Sequence, residues 1–418
     1  MTNPALADPA PVAPVDPTAL LVDPTLWPER FARRASRGGD ELTAILSLAA
    51  ATDVITFSGG FPAPETFPVD VVRQLTEELL AGDAALALQY SPTEGLPFAR
   101  EAITQMLADG QGQRPEDVLV TSGGIEALQL LARTFVEPRD QVLVESPTYL
   151  GAIMAFSGFE ADVLGIGMDE GGLRVDELEA TLATGRRPKL LYVIPDHQNP
   201  TGLSLAADRR AALVEVCRRY GVLVVEDVAY RELGFDGQAA PSLWSLGPDV
   251  VVQIGTFSKV FMPGVRLGWA VGPAPVVNAM TAAKQNSDQC AGALGQMLMA
   301  KYVGSGGLAR NLVGARALYQ SRAKAMTDAL AAHMPSTVRW TQPRGGFFVW
   351  LTAAADVDAR ELVAPAARLG VAYVPGAPFF ADAQGDNCFR LSYSRATETD
   401  IAEGIRRLGV LLTPGSAA

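Results

Sequence analysis

The sequence predicts an α/β protein in which a mainly parallel β-sheet is covered by helices on both faces and is followed by a smaller α+β unit. Short runs such as "QVLVES" and "GVLVVED" are apolar at successive positions, as expected of strands that are buried on both faces. Segments of helical length, such as "IEALQLLARTF" and "ADRRAALVEVCRRY", separate these runs, and this alternation is typical of parallel sheets. With 418 residues, 48% of them hydrophobic, the chain is long enough to bury a large core.

The predicted elements follow one another in a regular order along the chain. The strands of the parallel sheet are "DVLVTS", "QVLVES", "KLLYVIP", "GVLVVED" and "VVVQIG". A long helical segment, "ARALYQSRAKAMTDALAAHM", then leads to three strand-like stretches, "TVRWTQPRGGFFVWLT", "VAYVPGAPFF" and "NCFRLSYS", which predict the α+β unit. Parallel sheets bind ligands at the carboxyl ends of their strands, so functional residues are expected there.

The change of pattern predicts a domain boundary near residue 300. We expect a flexible N-terminal arm over residues 1–25, because closely spaced prolines cannot nucleate a helix. Residues 26–60 are expected to pack on the small domain, and residues 61–300 to form the large, cofactor-binding domain. Residues 301–418 are expected to form the C-terminal small domain.

Composition and charge exclude several classes of function. The 34 Lys and Arg residues against 46 Asp and Glu residues give a net charge of −12, which argues against a nucleic-acid surface and against anionic membranes. Three cysteines without metal-ligand spacing and two histidines, His197 and His333, are too few for a zinc enzyme or a Ser-His-Asp hydrolase. The chain begins with no secretion signal and contains no apolar run long enough for a membrane span. A cytoplasmic protein without a metal is expected.

Polar or glycine residues follow successive predicted strands. Gly123 and Gly124 come after "DVLVTS" at the start of a helix, where amide groups and the helix dipole suit a phosphate, although a tight turn also explains them. Tyr149 follows "QVLVES" and offers an aromatic face, with a core tyrosine as the alternative. Asn199 in "HQNPTG" is a candidate ligand, but the stretch is equally good turn chemistry.

Two ionisable residues stand at the ends of the last two strands. Asp227 closes a buried strand, and a buried carboxylate needs a cation or a hydrogen-bond donor nearby. Lys259 follows "VVVQIG", with hydroxyl groups at Thr256 and Ser258 beside it and Arg266 seven residues later. These groups are expected to gather at one edge of the sheet.

Taken together, these residues match the needs of pyridoxal 5′-phosphate. Its aldehyde requires a lysine with which to form an imine, and its pyridine nitrogen requires a carboxylate. Its phosphate requires amide, hydroxyl and guanidinium groups. We therefore predict that Lys259 is the imine-forming lysine.

The stretch "VVVQIGTFSKVFMPGVRLGWA" resembles the lysine signature of the class I/II aminotransferases, which is Ser or Thr, any residue, Ser, Lys, three residues, then Pro-Gly-x-Arg-x-Gly. Companion stretches stand in that family's order: "FSGGFPAPETFP", "LQYSPTEG", "ESPTYLGA", "QNPTG", "VVEDVAYREL", "PRGGFFVW" and "FRLSYS". The resemblance spans residues 40–412 and is strongest to the 2-aminoadipate aminotransferase subgroup. It implies a fold type I pyridoxal-phosphate-dependent transferase that forms a homodimer with shared active sites.

The resemblance also implies roles for individual residues, with Lys259, Asp227 and Tyr230 as the catalytic ones. Lys259 is expected to hold the cofactor covalently and then move the substrate α-proton, while Asp227 pairs with the pyridinium nitrogen. Asn199 and Tyr230 are expected to bond the ring hydroxyl oxygen, and Tyr149 to stack on the ring. The phosphate site is expected to comprise Gly123, Gly124, Ile125, Thr256, Ser258, Arg266 and, from a second subunit, Tyr90.

Substrate recognition is expected to depend on Arg390 in "FRLSYS". The resemblance implies that its guanidinium binds the substrate α-carboxylate, helped by the backbone of Gly60 and the amide of Asn199. An arginine on an exposed strand face is the alternative.

Several positions depart from the family pattern. Gly124 and Ile125 stand where many relatives have a hydroxyl residue and a glutamine, so phosphate binding would depend more on backbone amides. Val228 replaces a second acid, and Asp196 and His197 replace a serine or an aromatic residue, which bears on the cofactor's electronics or the substrate pocket. For His197 the alternative is a surface histidine at a strand end.

The most informative departure concerns the recognition of the substrate side chain. In the aminoadipate enzymes an arginine on a mobile helix binds the distal carboxylate, and counting back from "FSGG" puts Thr43 at that position. Arg37 is a candidate substitute, but Asp40 and Glu41 add negative charge to the same segment. A basic or neutral amino donor is therefore as consistent with the sequence as an acidic one.

Three functions are consistent with the sequence. The leading one is a transaminase that passes an amino group between an α-amino acid and a 2-oxo acid, with 2-oxoglutarate as one partner by family analogy. The second is a pyridoxal-phosphate-dependent lyase or cyclase acting on a specialised amino acid. The third is a transcription regulator that carries an aminotransferase-like domain, which the acidic, proline-rich first 25 residues and the net charge of −12 oppose.

Overall fold

The computed structural model describes residues 27–36, 54–382 and 384–413. The predicted N-terminal arm, Arg37 and Thr43 lie outside these residues. The predicted α/β class is confirmed, because a large sheet of mostly parallel strands is followed along the chain by a smaller antiparallel sheet. None of the helices in the described ranges is long and apolar enough to cross a membrane.

The strands are numbered in chain order. Those of the first half are β1 (Ile55–Thr56), β2 (Leu119–Thr121), β3 (Gln141–Ser146), β4 (Asp162–Asp169), β5 (Gly172–Leu173), β6 (Leu190–Val193) and β7 (Leu223–Asp227). Those of the second half are β8 (Val251–Thr256), β9 (Gly268–Val271), β10 (Arg339–Trp340), β11 (Phe348–Thr352), β12 (Val371–Ala372), β13 (Val374–Pro375) and β14 (Cys388–Ser392).

The helices of the described residues are numbered in the same way. The first seven are α1 (Trp27–Arg30), α2 (Val69–Gly82), α3 (Ala84–Ala87), α4 (Pro97–Gln111), α5 (Gly124–Phe135), α6 (Leu150–Gly158) and α7 (Val175–Ala183). The remaining seven are α8 (Ala207–Tyr220), α9 (Leu243–Leu246), α10 (Ala274–Gln285), α11 (Ala293–Gly304), α12 (Gly307–His333), α13 (Val363–Arg368) and α14 (Glu398–Leu412).

The large sheet has eight strands in the order β2-β9-β8-β7-β6-β3-β4-β5. Its middle, from β8 to β4, is parallel throughout, whereas β2, β9 and β5 pair antiparallel at the two sides. The four residues of β6 are completely buried, which explains the continuous apolar runs of the sequence. The carboxyl ends of β3, β6, β7 and β8 therefore meet at one edge of the sheet, where ligands bind in such folds.

The small sheet has four antiparallel strands in the order β10-β11-β14-β13, and β1 pairs with β12 in a separate parallel ribbon. Arg390 lies on the central strand β14, opposite Trp350 on one side and Val374 on the other. The expectation that the whole of "VAYVPGAPFF" is strand is wrong. After β13 the chain forms a turn of 3-10 helix over Ala377–Phe379, because Pro375 and Pro378 have no N–H groups with which to extend a ladder.

Candidate functional site

Strands β7 and β8 end side by side and bring the two predicted ionisable residues together. β7 ends at Asp227, which pairs with Ile254 of β8. β8 continues for two more residues to Thr256, whose hydroxyl donates to Ser258 Oγ at 2.9 Å and accepts from the Ser258 N–H at 3.1 Å. This tight turn directs the chain away from the sheet and holds Lys259 just beyond its edge.

Lys259 lies in a cleft between the two parts of the fold. Its ammonium Nζ donates to the Gly60 carbonyl oxygen at 2.9 Å. Burial lowers the pKa of Lys259 to about 8, and the charges of Arg390 and Arg266 act in the same direction while Asp227 opposes them. A substantial fraction of this lysine is therefore neutral and nucleophilic near neutral pH.

Asp227 is buried and held by two hydrogen bonds. The Tyr192 hydroxyl donates to Oδ2 at 2.8 Å, and the Ala229 N–H donates to Oδ1 at 3.0 Å. Burial raises the pKa of Asp227, whereas these two hydrogen bonds and the charge of Lys259 act in the opposite direction. A cationic partner at this carboxylate would offset the cost of burial, which suits a protonated ring nitrogen.

The start of helix α5 forms a cradle beside Arg266. Gly123, with φ of 93°, precedes the helix, and a Cβ at this position would lie 2.6 Å from Arg266 Nη2. Arg266 Nη1 donates to Ser258 Oγ at 3.3 Å. A Cβ on Gly268 would lie 2.9 Å from the Gly124 nitrogen, so only glycine lets β9 approach the helix this closely. Helix N–H groups, hydroxyls and a guanidinium thus converge, as a phosphate requires.

Ile125, the other predicted residue of this cradle, is the second residue of α5 and is half-buried against the core. An isoleucine side chain offers no donor, so its contribution to an anion is its backbone N–H. This agrees with the expectation that amides largely replace side chains at this helix start.

Three further predicted residues lie around the same edge. Tyr149 immediately precedes α6 and is packed onto the backbone of Gly151, and burial raises its pKa. Tyr230 is buried with its ring edge-on to Phe348, at a centroid distance of 5.8 Å. Burial raises the pKa of Tyr230, while a hydrogen bond with Asn199 lowers it. Both tyrosines are therefore neutral hydroxyl donors at physiological pH.

Arg390 reaches this edge from the small sheet. Its Nη1 donates to Asn199 Oδ1 at 3.0 Å, and its Nη2 donates to the Ser58 carbonyl at 2.6 Å. The guanidinium is sandwiched between two rings, with Cζ 4.5 Å from the Phe348 centroid and 4.8 Å from the Phe379 centroid. Arg390 is only 5% exposed, which rules out the alternative of an arginine on an exposed strand face.

Two polar atoms at Arg390 have no hydrogen-bond partner in the described part of the chain. They are the Arg390 Nε and the Ser58 Oγ, both buried. Burial lowers the pKa of Arg390 only to about 10, so the guanidinium carries its charge at neutral pH. A buried cation with an unused donor implies an anionic ligand, and a planar carboxylate matches the guanidinium.

Tyr90 stands apart from this cluster. Its side chain is 80% exposed. The loop that carries it is anchored to the large domain, since Ser91 Oγ donates to the Ala291 carbonyl at 2.9 Å.

Gly60 lies in the cleft beside Lys259. Its carbonyl accepts a hydrogen bond from Lys259, and an added Cβ would lie 2.9 Å from the Phe348 ring.

Asp196 and His197 have contacts of a different kind. Asp196 is buried between Arg210 and Arg231, with ion-pair distances of 2.6 Å and 2.8 Å, and these cations lower its pKa against the effect of burial. The His197 N–H donates to Ser204 Oγ at 3.0 Å, and burial lowers the pKa of its imidazole. Both residues line a groove of about 880 Å³ whose described walls include no residue of the site above.

Sequence reasoning missed Tyr192 and Gly268, which support the site from neighbouring strands. Tyr192 stands in the apolar run "LLYV" and resembles an ordinary core residue. The strand pairing shows the relation. Tyr192 pairs with Val225, two residues before Asp227, so the side chains of Tyr192 and Asp227 lie on the same face of the sheet. A third missed residue is Glu145, near the end of β3, whose pKa burial raises to about 8.

The chain resembles known proteins over most of its length. Residues 52–408 match the family of class I and II aminotransferases. The chain is 37% identical over 397 residues to aromatic-amino-acid aminotransferase 1 of Thermococcus litoralis, covering 93% of this chain and 95% of that protein. It is 38% identical over 391 residues to 2-aminoadipate transaminase of Thermus thermophilus, covering 92% of this chain and 97% of that protein.

The fold is similar to that of a solved relative with a trapped cofactor adduct. This is the α-aminoadipate aminotransferase LysN from Thermus thermophilus, complexed with N-(5′-phosphopyridoxyl)-L-leucine. The two chains are 38% identical, with a TM-score of 0.87, and the match covers 92% of this chain and 98% of that one.

Proposed function

This chain belongs to the class I and II aminotransferases, which are pyridoxal-phosphate enzymes of fold type I, and we propose that its chemistry takes place where Lys259, Asp227 and Arg390 converge. It transfers an amino group between an amino acid and a 2-oxo acid. The observation that carries the proposal is geometric: Asp227 ends the strand beside β8, Lys259 donates to the Gly60 carbonyl, and Arg390 donates to the Ser58 carbonyl two residues earlier.

When bound, pyridoxal phosphate supplies an aldehyde carbon and an electron-withdrawing ring. Lys259 would hold the cofactor at that carbon through its neutral amine, and the same amine would hold or move the proton of the substrate α-carbon. The pKa of about 8 favours both tasks, because a fully protonated lysine could neither attack an aldehyde nor accept a proton. The Gly60 carbonyl, 2.9 Å from Nζ, orients the amine in the cleft.

The remaining residues of the edge orient the ring. Asp227 would accept a hydrogen bond from the ring nitrogen and stabilise its positive charge. Tyr230 and Asn199 would bind the ring hydroxyl oxygen, and Tyr149 would lie against the ring. The amides at the start of α5, with the hydroxyls of the β8 turn and Arg266, would bind the phosphate.

Arg390 binds the α-carboxylate that every amino acid and 2-oxo acid carries. The unused Nε, the charge on the buried guanidinium and its clamping between two rings support this role. Since the carboxylate is common to all substrates, Arg390 contributes affinity and orientation but no choice between side chains.

For the side chain we propose a neutral, apolar or aromatic donor, with 2-oxoglutarate as the amino acceptor by family analogy. Phe379 contacts Arg390 and belongs to a small apolar cluster at the meeting of the two sheets. The cluster comprises Leu150, Trp350, Val374, Phe379 and Cys388, with Met154 and Phe380 packed against it. A side chain that extends from a carboxylate held at Arg390 toward these residues gains apolar burial. The solved relative that carries a leucine adduct supports the same class of donor.

We also propose a homodimer in the cytoplasm, with Tyr90 reaching the phosphate site of the second subunit. Tyr90 is 80% exposed and stands beside other exposed apolar side chains, including Leu86 at 41% and Leu88 at 72%. Such a patch is typical of a surface that a partner covers. Light scattering of the purified protein measures the mass. Tyr90→Phe should weaken cofactor binding if its hydroxyl contacts phosphate, and a monomer with full affinity would contradict the proposal.

The experiment that tests the function follows the cofactor spectrum in half-reactions. Leucine, phenylalanine, 2-aminoadipate, glutamate and lysine are each mixed with the loaded enzyme, and the product is then mixed with 2-oxoglutarate. A transaminase converts the cofactor to its amine form and back, whereas a lyase or cyclase releases product without the oxo acid. We expect leucine or phenylalanine to react fastest. Preference for the two acidic donors would contradict the proposed side-chain class.

A substitution at Thr43 provides a separate test of how the substrate side chain is recognised. Thr43→Arg should improve the efficiency with 2-aminoadipate or glutamate relative to leucine by about tenfold, the effect of one charge-assisted contact. An equal change for all donors would show that this segment does not contact the side chain.

A further inference from the structure

Tyr192 is a buried tyrosine at the centre of the large sheet whose hydroxyl contacts a charged residue of the site. It lies on β6, opposite Val144 of β3 and Val225 of β7, and its relative exposure is 0%. Its ring packs edge-on against Phe156, with centroids 6.2 Å apart and planes at 65°. The hydroxyl donates to Asp227 Oδ2 at 2.8 Å. Packing fixes the ring, so the donor has a fixed position.

This hydrogen bond completes a two-point attachment of the Asp227 carboxylate. The Ala229 N–H donates to Oδ1 and the Tyr192 hydroxyl to Oδ2, so each oxygen has one protein donor. Rotation of the carboxylate would break both bonds. Each oxygen retains a further lone pair, which leaves room for one more donor. The carboxylate is therefore oriented before any ligand arrives.

Two buried carboxyl groups lie near each other at this edge, and they differ in their donors. Glu145 Oε2 accepts only from amide groups, namely Ile194 N–H at 3.0 Å and Gln198 Nε2 at 3.2 Å. Asp227 receives a phenolic hydroxyl and a backbone N–H and faces the charge of Lys259. Burial raises the pKa of both acids, and the charge of Asp227 further disfavours the ionised form of Glu145.

Two further titratable groups are coupled to Asp227: the charge of Lys259 acts on Asp227, and the charge of Asp227 acts on Tyr149. Tyr149 and Tyr192 stay neutral because burial raises the pKa of both phenols. Lys259 is the cation that opposes the effect of burial on Asp227. The hydrogen-bond donors to Asp227 and the charge of Lys259 therefore favour a single negative charge at this edge, located on Asp227.

We propose that Tyr192 is a positioning residue for transamination, whose hydroxyl keeps Asp227 ionised and turned toward the ring nitrogen of the cofactor. This inference rests on the role proposed above for Asp227. Tyr192 itself contacts neither substrate nor reacting atoms, so its effect passes through the carboxylate alone.

The test compares Tyr192→Phe with Tyr373→Phe in the loaded enzyme. Tyr373 is a matched control, since it is 1% exposed and its hydroxyl donates to the Ala359 carbonyl at 2.7 Å. Its ring packs on Phe389, whose side chain alternates with that of Arg390 along β14 and so lies on the other face of the small sheet. Both variants lose one buried tyrosine hydrogen bond and keep the ring. Their melting temperatures should fall by similar amounts.

Three readouts separate positioning from packing. First, the pH titration of the absorbance of the cofactor attached to Lys259 should shift upward by about one pH unit in Tyr192→Phe, because a less firmly protonated ring nitrogen withdraws less charge. Second, the half-reaction with the preferred donor should slow about tenfold in kcat, with KM within about twofold. Third, the Kd of pyridoxal phosphate should rise. Tyr373→Phe should leave all three unchanged.

Asp227→Asn distinguishes the failure of this inference from the failure of the proposed site. If Asp227→Asn alters the titration and the half-reaction but Tyr192→Phe behaves like Tyr373→Phe, Tyr192 only fills the core and the inference is overturned. If Asp227→Asn also leaves both readouts unchanged, the assignment of Asp227 to the ring nitrogen is wrong.

Discussion

Replacement of Gly268 by alanine should weaken cofactor binding although no side chain at this position reaches the cofactor. Gly268 begins β9, next to the start of helix α5. An added Cβ would lie 2.6 Å from the Gly255 carbonyl oxygen, 2.8 Å from the Gly123 carbonyl carbon and 2.9 Å from the Gly124 nitrogen. All three atoms are backbone, so none can move away by rotating a side chain.

The added methyl group of Gly268→Ala should displace mainly the start of helix α5. Gly255 lies inside β8, where it pairs with Trp269 of β9 and directly follows Ile254, which pairs with Asp227 of β7. Gly123 lies in a turn that precedes the helix and has fewer constraints. Overpacking of this kind costs about 1–3 kcal/mol. Because phosphate binding needs the amides in their present positions, we expect the Kd of pyridoxal phosphate to rise about tenfold, which equals about 1.4 kcal/mol.

The assay titrates the apoenzyme with pyridoxal phosphate and, separately, with pyridoxal. Only the phosphorylated compound uses the amides of α5, so the loss should be confined to it. Gly292→Ala is the matched control, because Gly292 is exposed, begins a helix with φ of −61° and has no atom within 4 Å of an added Cβ. An unchanged Kd for pyridoxal phosphate in a folded Gly268→Ala protein would refute the reasoning. An equal loss for pyridoxal would do the same.

Three further outcomes are expected. Lys259→Ala should abolish the covalent labelling that borohydride reduction produces in the loaded enzyme, and a labelled peptide elsewhere in the chain, identified by mass spectrometry, would remove Lys259 from its role. The rate at which pyridoxal phosphate attaches to the apoenzyme should rise with pH and level off above about pH 8, since only the neutral amine reacts; a rise that continues toward 10.5 would contradict the lowered pKa of Lys259. Asp196→Asn should destabilise the fold by about 3–5 kcal/mol in denaturant unfolding, because it leaves Arg210 and Arg231 buried without their carboxylate. A destabilisation below about 1 kcal/mol would contradict that prediction.

Sequence patterns predicted the large sheet better than the small one. The parallel strands are buried on both faces, so their apolar runs stand out from the rest of the chain. Strand β9 is harder to predict from the sequence, because it is short, contains Gly268 and pairs antiparallel with β8. The two-residue strand β1 depends on a partner distant in sequence, which no local pattern reveals. The predicted strand "VAYVPGAPFF" contains only the short strands β12 and β13, which pair with different partners.

The site was predictable to the extent that its residues stand at strand ends. Asp227 ends an apolar run, and Lys259 and Asn199 each follow such a run within a few residues. Their meeting at one edge follows from the parallel topology. Arg390 was recognised through its family motif, because its strand lies in the other sheet and only the tertiary fold brings it to the cleft. The ion pairs of Asp196 join residues 14 and 35 positions away, so spacing alone could not separate a structural acid from one beside the cofactor.

The parts of the site that could be predicted are those that contact what all substrates share. In the function we propose, the sheet edge binds the ring and the phosphate, and Arg390 binds a carboxylate present in every donor and acceptor. In the same proposal, the choice of side chain depends on Phe379 and its apolar cluster, to which Leu150 contributes from helix α6 and Trp350 from strand β11. Because these residues come from elements that meet only in the folded protein, substitutions there alter the shape of the pocket without moving Lys259 or Asp227. The donor can therefore change among relatives while the reaction stays the same, and for this reason the motifs identify the chemistry more readily than the substrate.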